Sequence, residues 1–310
     1  MKNQLTVSNR KFLYREIIRH RSVYVLLIIP LVYYIIFKYF PLWNGQIAFK
    51  DFAPLDGVLG SRWVGFANFQ SFVKSYYFFE LLRNTLFYSF GKLLVSIPSA
   101  IFLAVALYEC VRPRFSKLVQ TLAYLPHFLS WVIMYGILLS LLAPGDGIVN
   151  DAIKAFGGQP IAFMSNIKTF PFIVIFSDAW KEMGWSAIIF IAALIGIDPS
   201  LFEAAIVEGA SAPQRVWNIT LPSIRPVIVI VVLLRIGTIL DAGFNQMFML
   251  YSVPVYSVAD IIDTWVYRQG LLQFQFSLAT AVGIFKGIIG FFLVIFSNWA
   301  VKRITDSSLF

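Results

Sequence analysis

The chain is short of charge. Asp, Glu, Lys and Arg make up 13% of its 310 residues, about half the share found in a soluble domain. A fold surrounded by water needs that polar cover, so much of this surface must face something less polar. Cysteine is nearly absent. Cys110 stands alone, which excludes an intrachain disulfide and any site built from several thiolates. His20 and His127 are the only histidines, so no metal site is expected. The phosphate-cradling pattern G-x-x-x-x-G-K-[ST] is missing, and ATP has no site of that kind on this chain. Nothing places two carboxylates in a cleft as a glycosidase needs, so an enzyme is not expected. There is no internal repeat and no low-complexity tract.

What fills the sequence is apolar: 59% of residues are hydrophobic and Phe alone occurs 31 times. Lipid is the environment that such a surface suits. Six stretches reach the roughly 20 residues that a helix needs to cross a bilayer: 23–43, 85–108, 119–142, 170–197, 224–240 and 278–301. Pro98, Pro126 and Pro226 fall within them or at their ends, which neighbouring helices can accommodate. The expected fold is therefore all-α, a polytopic membrane protein with six transmembrane helices. Its expected division is a 1–22 cytoplasmic segment, a first helix with its outer loop over 23–84, a five-helix core over 85–301 and a 302–310 tail. The first stretch follows a basic lead, as a signal peptide would. It is too long for one, and Lys38-Tyr39-Phe40-Pro41 offers no small-residue cleavage site, so it reads as an uncleaved anchor.

The net charge of +9 raises the question of nucleic acid. The basic residues punctuate apolar runs instead of forming a patch, so they read as topology signals, and no nucleic-acid partner is expected. Lys and Arg are more numerous on one set of alternate loops: the N-terminus, Arg112, Arg114 and Lys117, Arg215 and Arg225, and Lys302 and Arg303. By the positive-inside rule these lie in the cytoplasm, with both termini. Among the opposite segments, 63–79 is aromatic-rich and suits a short interfacial helix. The 143–169 segment carries turn signals at Pro144-Gly145-Asp146-Gly147 and Gly157-Gly158.

The most informative stretch is the inner loop 198–222, D-P-S-L-F-E-A-A-I-V-E-G-A-S-A-P-Q-R-V-W-N-I-T-L-P. Asp198 can cap a helix with Pro199 in its first turn. Gly209 suits the left-handed end of that helix, and Pro213 opens a second short helix expected to stop before Pro222. Ala204, Ala205, Gly209 and Ala210 are small and allow another surface to come close, while Glu203 projects an acid from it. A plain connector needs only a few residues. This loop resembles the EAA loop of binding-protein-dependent ABC importer permeases: Glu203-Ala204-Ala205, then Gly209, then Ile219-x-Leu221-Pro222. Where that family commonly has Asp before the glycine, this chain has Glu208, which keeps the charge. The resemblance extends to Trp63-Val64-Gly65-Phe66-x-Asn68-Phe69, similar to the opening segment of sugar permeases. Asp178-x-Trp180-Lys181-Glu182-x-Gly184-Trp185 and Asp260-Ile261-Ile262-Asp263-Thr264-x-Val266-Tyr267-Arg268 resemble the subgroup that imports complex plant or algal oligosaccharides.

The resemblance runs from about Val23 to Lys302 and implies a type I importer permease with the MetI-like fold. By that likeness Glu203, Ala204, Ala205, Glu208, Gly209, Ile219, Leu221 and Pro222 dock on a cytoplasmic ATPase. ATP and Mg would belong to that ATPase, with no cofactor on this chain. The implied partners are a second homologous permease subunit, a dimer of ATPase subunits and an extracytoplasmic solute-binding protein, in a bacterial cytoplasmic membrane.

Charges inside a span are expensive and mark pathways or pairs. Asp178, Lys181, Glu182 and Trp185 fall on roughly one helical face. They are either a pathway wall, with Trp180 or Trp185 stacking on sugar rings, or a neutralised Lys–carboxylate pair. Arg235 and Asp241 make a second such couple, and Asn245 follows. Lys38, Lys92 and Lys286 read as snorkelling or packing between helices. Cationic Lys181 and Arg235 would suit an acidic saccharide. The competing reading is a proton-coupled secondary transporter with Asp178, Lys181 and Glu182 as relay, although such proteins often carry inverted repeats.

Overall fold

The computed structural model describes residues 19–237 and 239–305; most of the expected cytoplasmic lead and the end of the tail lie outside them. The principal helices are α1 (Arg21–Tyr34), α2 (Phe78–Tyr108), α3 (Pro113–Tyr124), α4 (Trp131–Leu142), α5 (Phe170–Ile195), α6 (Pro199–Val207), α7 (Leu221–Gly237), α8 (Phe244–Leu250), α9 (Ile262–Tyr267) and α10 (Phe276–Thr305). The architecture is all-α. The strands among the described residues form one short antiparallel pair, Lys50–Asp51 with Arg62–Trp63. Four helical stretches are long and apolar enough to cross a membrane: 21–49, 78–108, 212–237 and 276–299. Two bent pairs, α3 with α4 and α5 with α6, bring the number to as many as six.

The third expected span is not one continuous helix. Its two halves meet at 111° across residues 125–130. Pro126 has no N–H to continue the helix and restricts the residue before it. Ser130 then caps the new start by accepting from the Ile133 N–H at 3.3 Å. The fifth span also differs. It begins at Ala212, well before the expected 224, and its helix stops at Gly237. The second short helix expected to end before Pro222 therefore does not exist as a separate element. A π-turn at Val216–Thr220 carries the chain straight into α7. The wider π-turn directly precedes Pro222, which has no N–H to continue the i→i−4 ladder.

The core is built on α2 against α5, the most extensive helix contact in the chain. Two glycines permit the close approach around α5. A Cβ on Gly91 would lie 2.6 Å from Ile175 Cδ1, and one on Gly184 would lie 2.0 Å from the Ala123 carbonyl oxygen. Two apolar clusters result. One holds Tyr88, Phe170, Val174 and Met247; the other holds Ala100, Ala187, Phe190 and Ile224. A third gathers Phe72, Leu81, Trp265 and Val282 beneath the segment that follows α1. By contrast, α1 buries none of its residues. Helical backbone continues from it to Phe49, and only that far end packs on α10. There Asn68 donates to the Ala48 and Lys50 carbonyls at 2.9 and 3.0 Å, which gives the Trp63–Phe69 motif a bracing role. The expected interfacial helix in this region is Ala67–Val73.

Candidate functional site: a charged cavity and an exposed elbow

Between the two apolar clusters of the α2–α5 core lies a polar layer. Lys92 on α2 stands between Tyr88 and Ile97, and Asp178 on α5 between Ile175 and Ala187. The two charges meet at 3.5 Å. They open onto a cavity of about 390 Å³, whose wall also includes Ser89, Ser96, Arg235 and Asp241. Lys92 Nζ donates to the Ala242 carbonyl at 2.8 Å as well, so one ammonium ties α2, α5 and the break after α7 together. That break needs Gly243. Its φ is +84°, and a Cβ there would sit 2.4 Å from Lys92 Nζ. Arg235 reaches back to Ser186 Oγ at 3.2 Å. Asp241 pairs with Lys286 at 2.6 Å, and Lys286 also holds Asp263 at 2.8 Å.

The structure divides the expected pathway residues. Asp178, Arg235 and Asp241 line the cavity. Lys181 does not. It is 6% exposed and donates to the Pro126 and His127 carbonyls at 3.2 and 2.5 Å, at the break between α3 and α4, with Glu182 Oε1 3.9 Å away. Glu182 accepts from His127 at 3.1 Å, and Trp185 stacks flat on the His127 ring at 4.7 Å. Trp180 lies on a separate apolar groove with Leu138, Leu142 and Phe176. Asn245 is exposed on α8 and is not part of the cavity wall. Arg235 and Asp241, expected as a couple, share the cavity, but Asp241 is held by Lys286. Lys92 and Lys286, read as snorkelling or packing between helices, are members of the charge network, Lys92 packed between α2 and α5. The signal for Lys92 was in the sequence: it lies about as deep in the second expected span as Asp178 does in the fourth.

Above this layer the chain from α8 to α9 folds back over α2. Tyr88 donates to the Val258 carbonyl at 2.8 Å, Asn84 to that of Asp260 at 3.0 Å, and Thr85 Oγ1 accepts from Ile262 N at 3.0 Å. Buried Asp260 accepts both Arg268 donors, so the Asp260–Arg268 motif closes this cap on itself.

At the far end of α5 the elbow is formed by α6 and the start of the fifth span. Asp198 accepts from the Ser200 N–H at 2.9 Å; that bond holds its carboxyl below the usual range. Gly209 takes φ +82°, and the Ala210 N–H returns to the Ala205 carbonyl at 2.9 Å, a left-handed helix end. Ser211 and Gln214 form a capping box for the next helix. Glu203, Ala204, Glu208, Gly209 and Pro222 are exposed, with Ala205, Ile219 and Leu221 half-buried. Apolar side chains project beside them: Val207 is 88% exposed and Trp217 71%. Arg215 braces the elbow by donating to the Ala210 carbonyl at 3.0 Å.

Long apolar helices around a charged cavity, with a rigid elbow continuous with one of them, define a multi-pass membrane transport subunit. The chain belongs to the family of binding-protein-dependent transport system inner membrane components, whose model matches residues 85–307. Among its relatives is the polygalacturonan/rhamnogalacturonan transport system permease protein YteP of Bacillus subtilis (strain 168). The two are 40% identical over 301 residues, covering 97% of this chain and 94% of YteP. Protein LplB of the same strain is 40% identical over 292 residues, covering 94% and 92%. A chain in the crystal structure of a bacterial alginate ABC transporter, in complex with alginate pentasaccharide-bound periplasmic protein, superposes with a TM-score of 0.87. It is 35% identical, with 96% of this chain and 99% of that chain covered. As a member of this family the chain is a permease subunit of an importer and not itself an enzyme.

Proposed function

We propose that the chain is one half of the membrane channel of an ATP-driven importer for an acidic oligosaccharide. In this reading Lys92, Asp178, Arg235 and Asp241 line the path, and the elbow 198–222 receives the thrust of a cytoplasmic ATPase. The observation that carries it is the charged cavity set between two apolar clusters, in a chain similar along its length to a permease named for polygalacturonan. Polygalacturonan and alginate are polyanions, and a path for them needs cations at mid-membrane depth. The cavity has Lys92 and Arg235 there.

The other partners follow from the same geometry. A cavity open at one side of a single chain calls for a second permease half to close it. Exposed Val207 and Trp217 beside the small residues of the elbow call for a protein cover, and the ATPase pair supplies both the cover and the ATP with its Mg. The elbow and both termini then lie in the cytoplasm, as the Lys and Arg distribution expects. The 244–275 cap faces the solute-binding protein on the other side. A proton relay through Asp178, Lys181 and Glu182 is not favoured: Asp178 faces Lys92, while Lys181, 3.9 Å from Glu182, is held on the Pro126 and His127 carbonyls.

Affinity purification of the tagged chain from its native membrane tests the docking role. The expected result is a co-purifying soluble ATPase and a second permease, with the ATPase lost and the permease retained in Glu203→Lys. An ATPase that stays bound to Glu203→Lys and to Gly209→Pro would remove the elbow from the docking surface.

A further inference from the structure

A polyanion crossing a membrane needs cations on its path, yet a bare cation would hold it. Conduction requires binding strong enough to enter and weak enough to leave. Here two of the cations already rest on carboxylates of the protein. Lys92 rests on Asp178 at 3.5 Å, and Lys286 on Asp241 and Asp263. The Lys92–Asp178 separation is longer than a direct charge-assisted hydrogen bond, which runs about 2.7–2.9 Å. Asp178 also keeps part of its surface on the cavity, as does Asp241.

We infer that Asp178 is an internal stand-in for the substrate's carboxylate. It neutralises Lys92 while the cavity is empty and gives Lys92 up to each uronate that enters. This rests on the reading of the chain as a permease for acidic oligosaccharides. The exchange swaps one carboxylate for another on the same ammonium, so Lys92 is never left bare, where the cost would be several kcal/mol, and the displaced Asp178 carboxylate turns to the cavity on which it keeps part of its surface. Competition from the tethered carboxylate lowers the affinity for the guest and lets it leave. The wall around Lys92 also holds hydrogen-bonding capacity that the protein does not use. Ser89, in the cavity lining, has its Oγ buried without a partner, and behind the lining Gln246 Oε1 is buried without one too. Gln246 Oε1 lies beside Gly243, the glycine that Lys92 Nζ approaches. A sugar hydroxyl flanking a carboxylate at Lys92 would come nearest Ser89 Oγ. Asp241, two-thirds exposed on the same cavity, is held more tightly, at 2.6 Å from a Lys286 that Asp263 also binds.

The test uses the complex of both permease halves with the ATPase. Equilibrium binding of radiolabelled trigalacturonate is measured without the solute-binding protein, and ATP-driven uptake with it. Asp178→Asn removes the competitor, so binding tightens and uptake slows, each about tenfold. Asp178→Glu keeps a competing carboxylate, so its binding tightens less than that of Asp178→Asn. Lys92→Met loses binding and uptake, and Asp178→Asn combined with Lys92→Met stays defective. A purely structural ion pair predicts the opposite: the double variant recovers uptake, and Asp178→Asn binds no tighter. Either result overturns the inference, as does assembly of the double variant when Asp178→Asn and Asp178→Ser both fail to assemble. If the wild-type complex takes up maltotriose but not trigalacturonate, the acidic-substrate reading fails first and takes the inference with it.

Discussion

Single residues divide into those that hold the fold and those that face the cavity. Lys181 belongs to the first kind. Its ammonium donates to the Pro126 and His127 carbonyls at the break, the first of which also accepts from the Leu129 N–H, and an unsatisfied buried polar group costs about 1–3 kcal/mol. Lys181→Met should therefore lower thermal stability in detergent by about that amount. Uptake per folded molecule should stay near wild type. Normal stability with lost uptake would put Lys181 back on the path. Gly184 makes a sharper case, because any side chain there meets the Ala123 backbone, which cannot swing away. Gly184→Val should cost about 1–3 kcal/mol or more and appear as poor expression. A fully stable Gly184→Val would mean that α3 and α5 are not in this contact.

At the scale of elements, the elbow and α7 act as one body. The helix that begins at Ala212, just past the Gly209 turn, runs without a gap to Gly237 and carries Arg235 to the cavity. In the proposed reading, a push on the elbow reaches the charge network along this helix. Gly209→Pro breaks the turn, since proline cannot adopt the φ of +82°. Uptake should fall by at least tenfold, as for loss of an element on which turnover depends, while membrane insertion is unchanged. Uptake assays beside membrane-fraction immunoblots check this, and normal uptake would detach the elbow from the mechanism.

The elbow was legible because its signals are local: Asp198 as cap, Pro199 behind it, Gly209 as stop. The π-turn at 216–220 was not legible, because nothing local distinguishes it from an ordinary helix start. The 111° break was half legible. Pro126 announced it, but the proline rule also allows a kinked yet continuous helix. The charge network was read least well. Helical spacing grouped Asp178 with Lys181, yet their partners, Lys92 and the Pro126 carbonyl, are set by which helices pack on α5, and spacing along one helix does not contain that.

For the whole molecule, the features that look unfinished in isolation are the ones that assembly would complete. α1 is apolar and buries nothing, the elbow carries exposed Val207 and Trp217, and the cavity has an open side. A lipid bilayer, an ATPase and a second permease would supply the three covers. The central claim is that this chain moves an acidic oligosaccharide only as part of that assembly. Reconstitution into liposomes tests it most directly, with the chain supplied alone or with the second permease, the ATPase pair and the solute-binding protein. Uptake of trigalacturonate should require all the components together with ATP, and imposing a proton gradient without ATP should drive none. Uptake by the chain alone down a proton gradient would contradict the account.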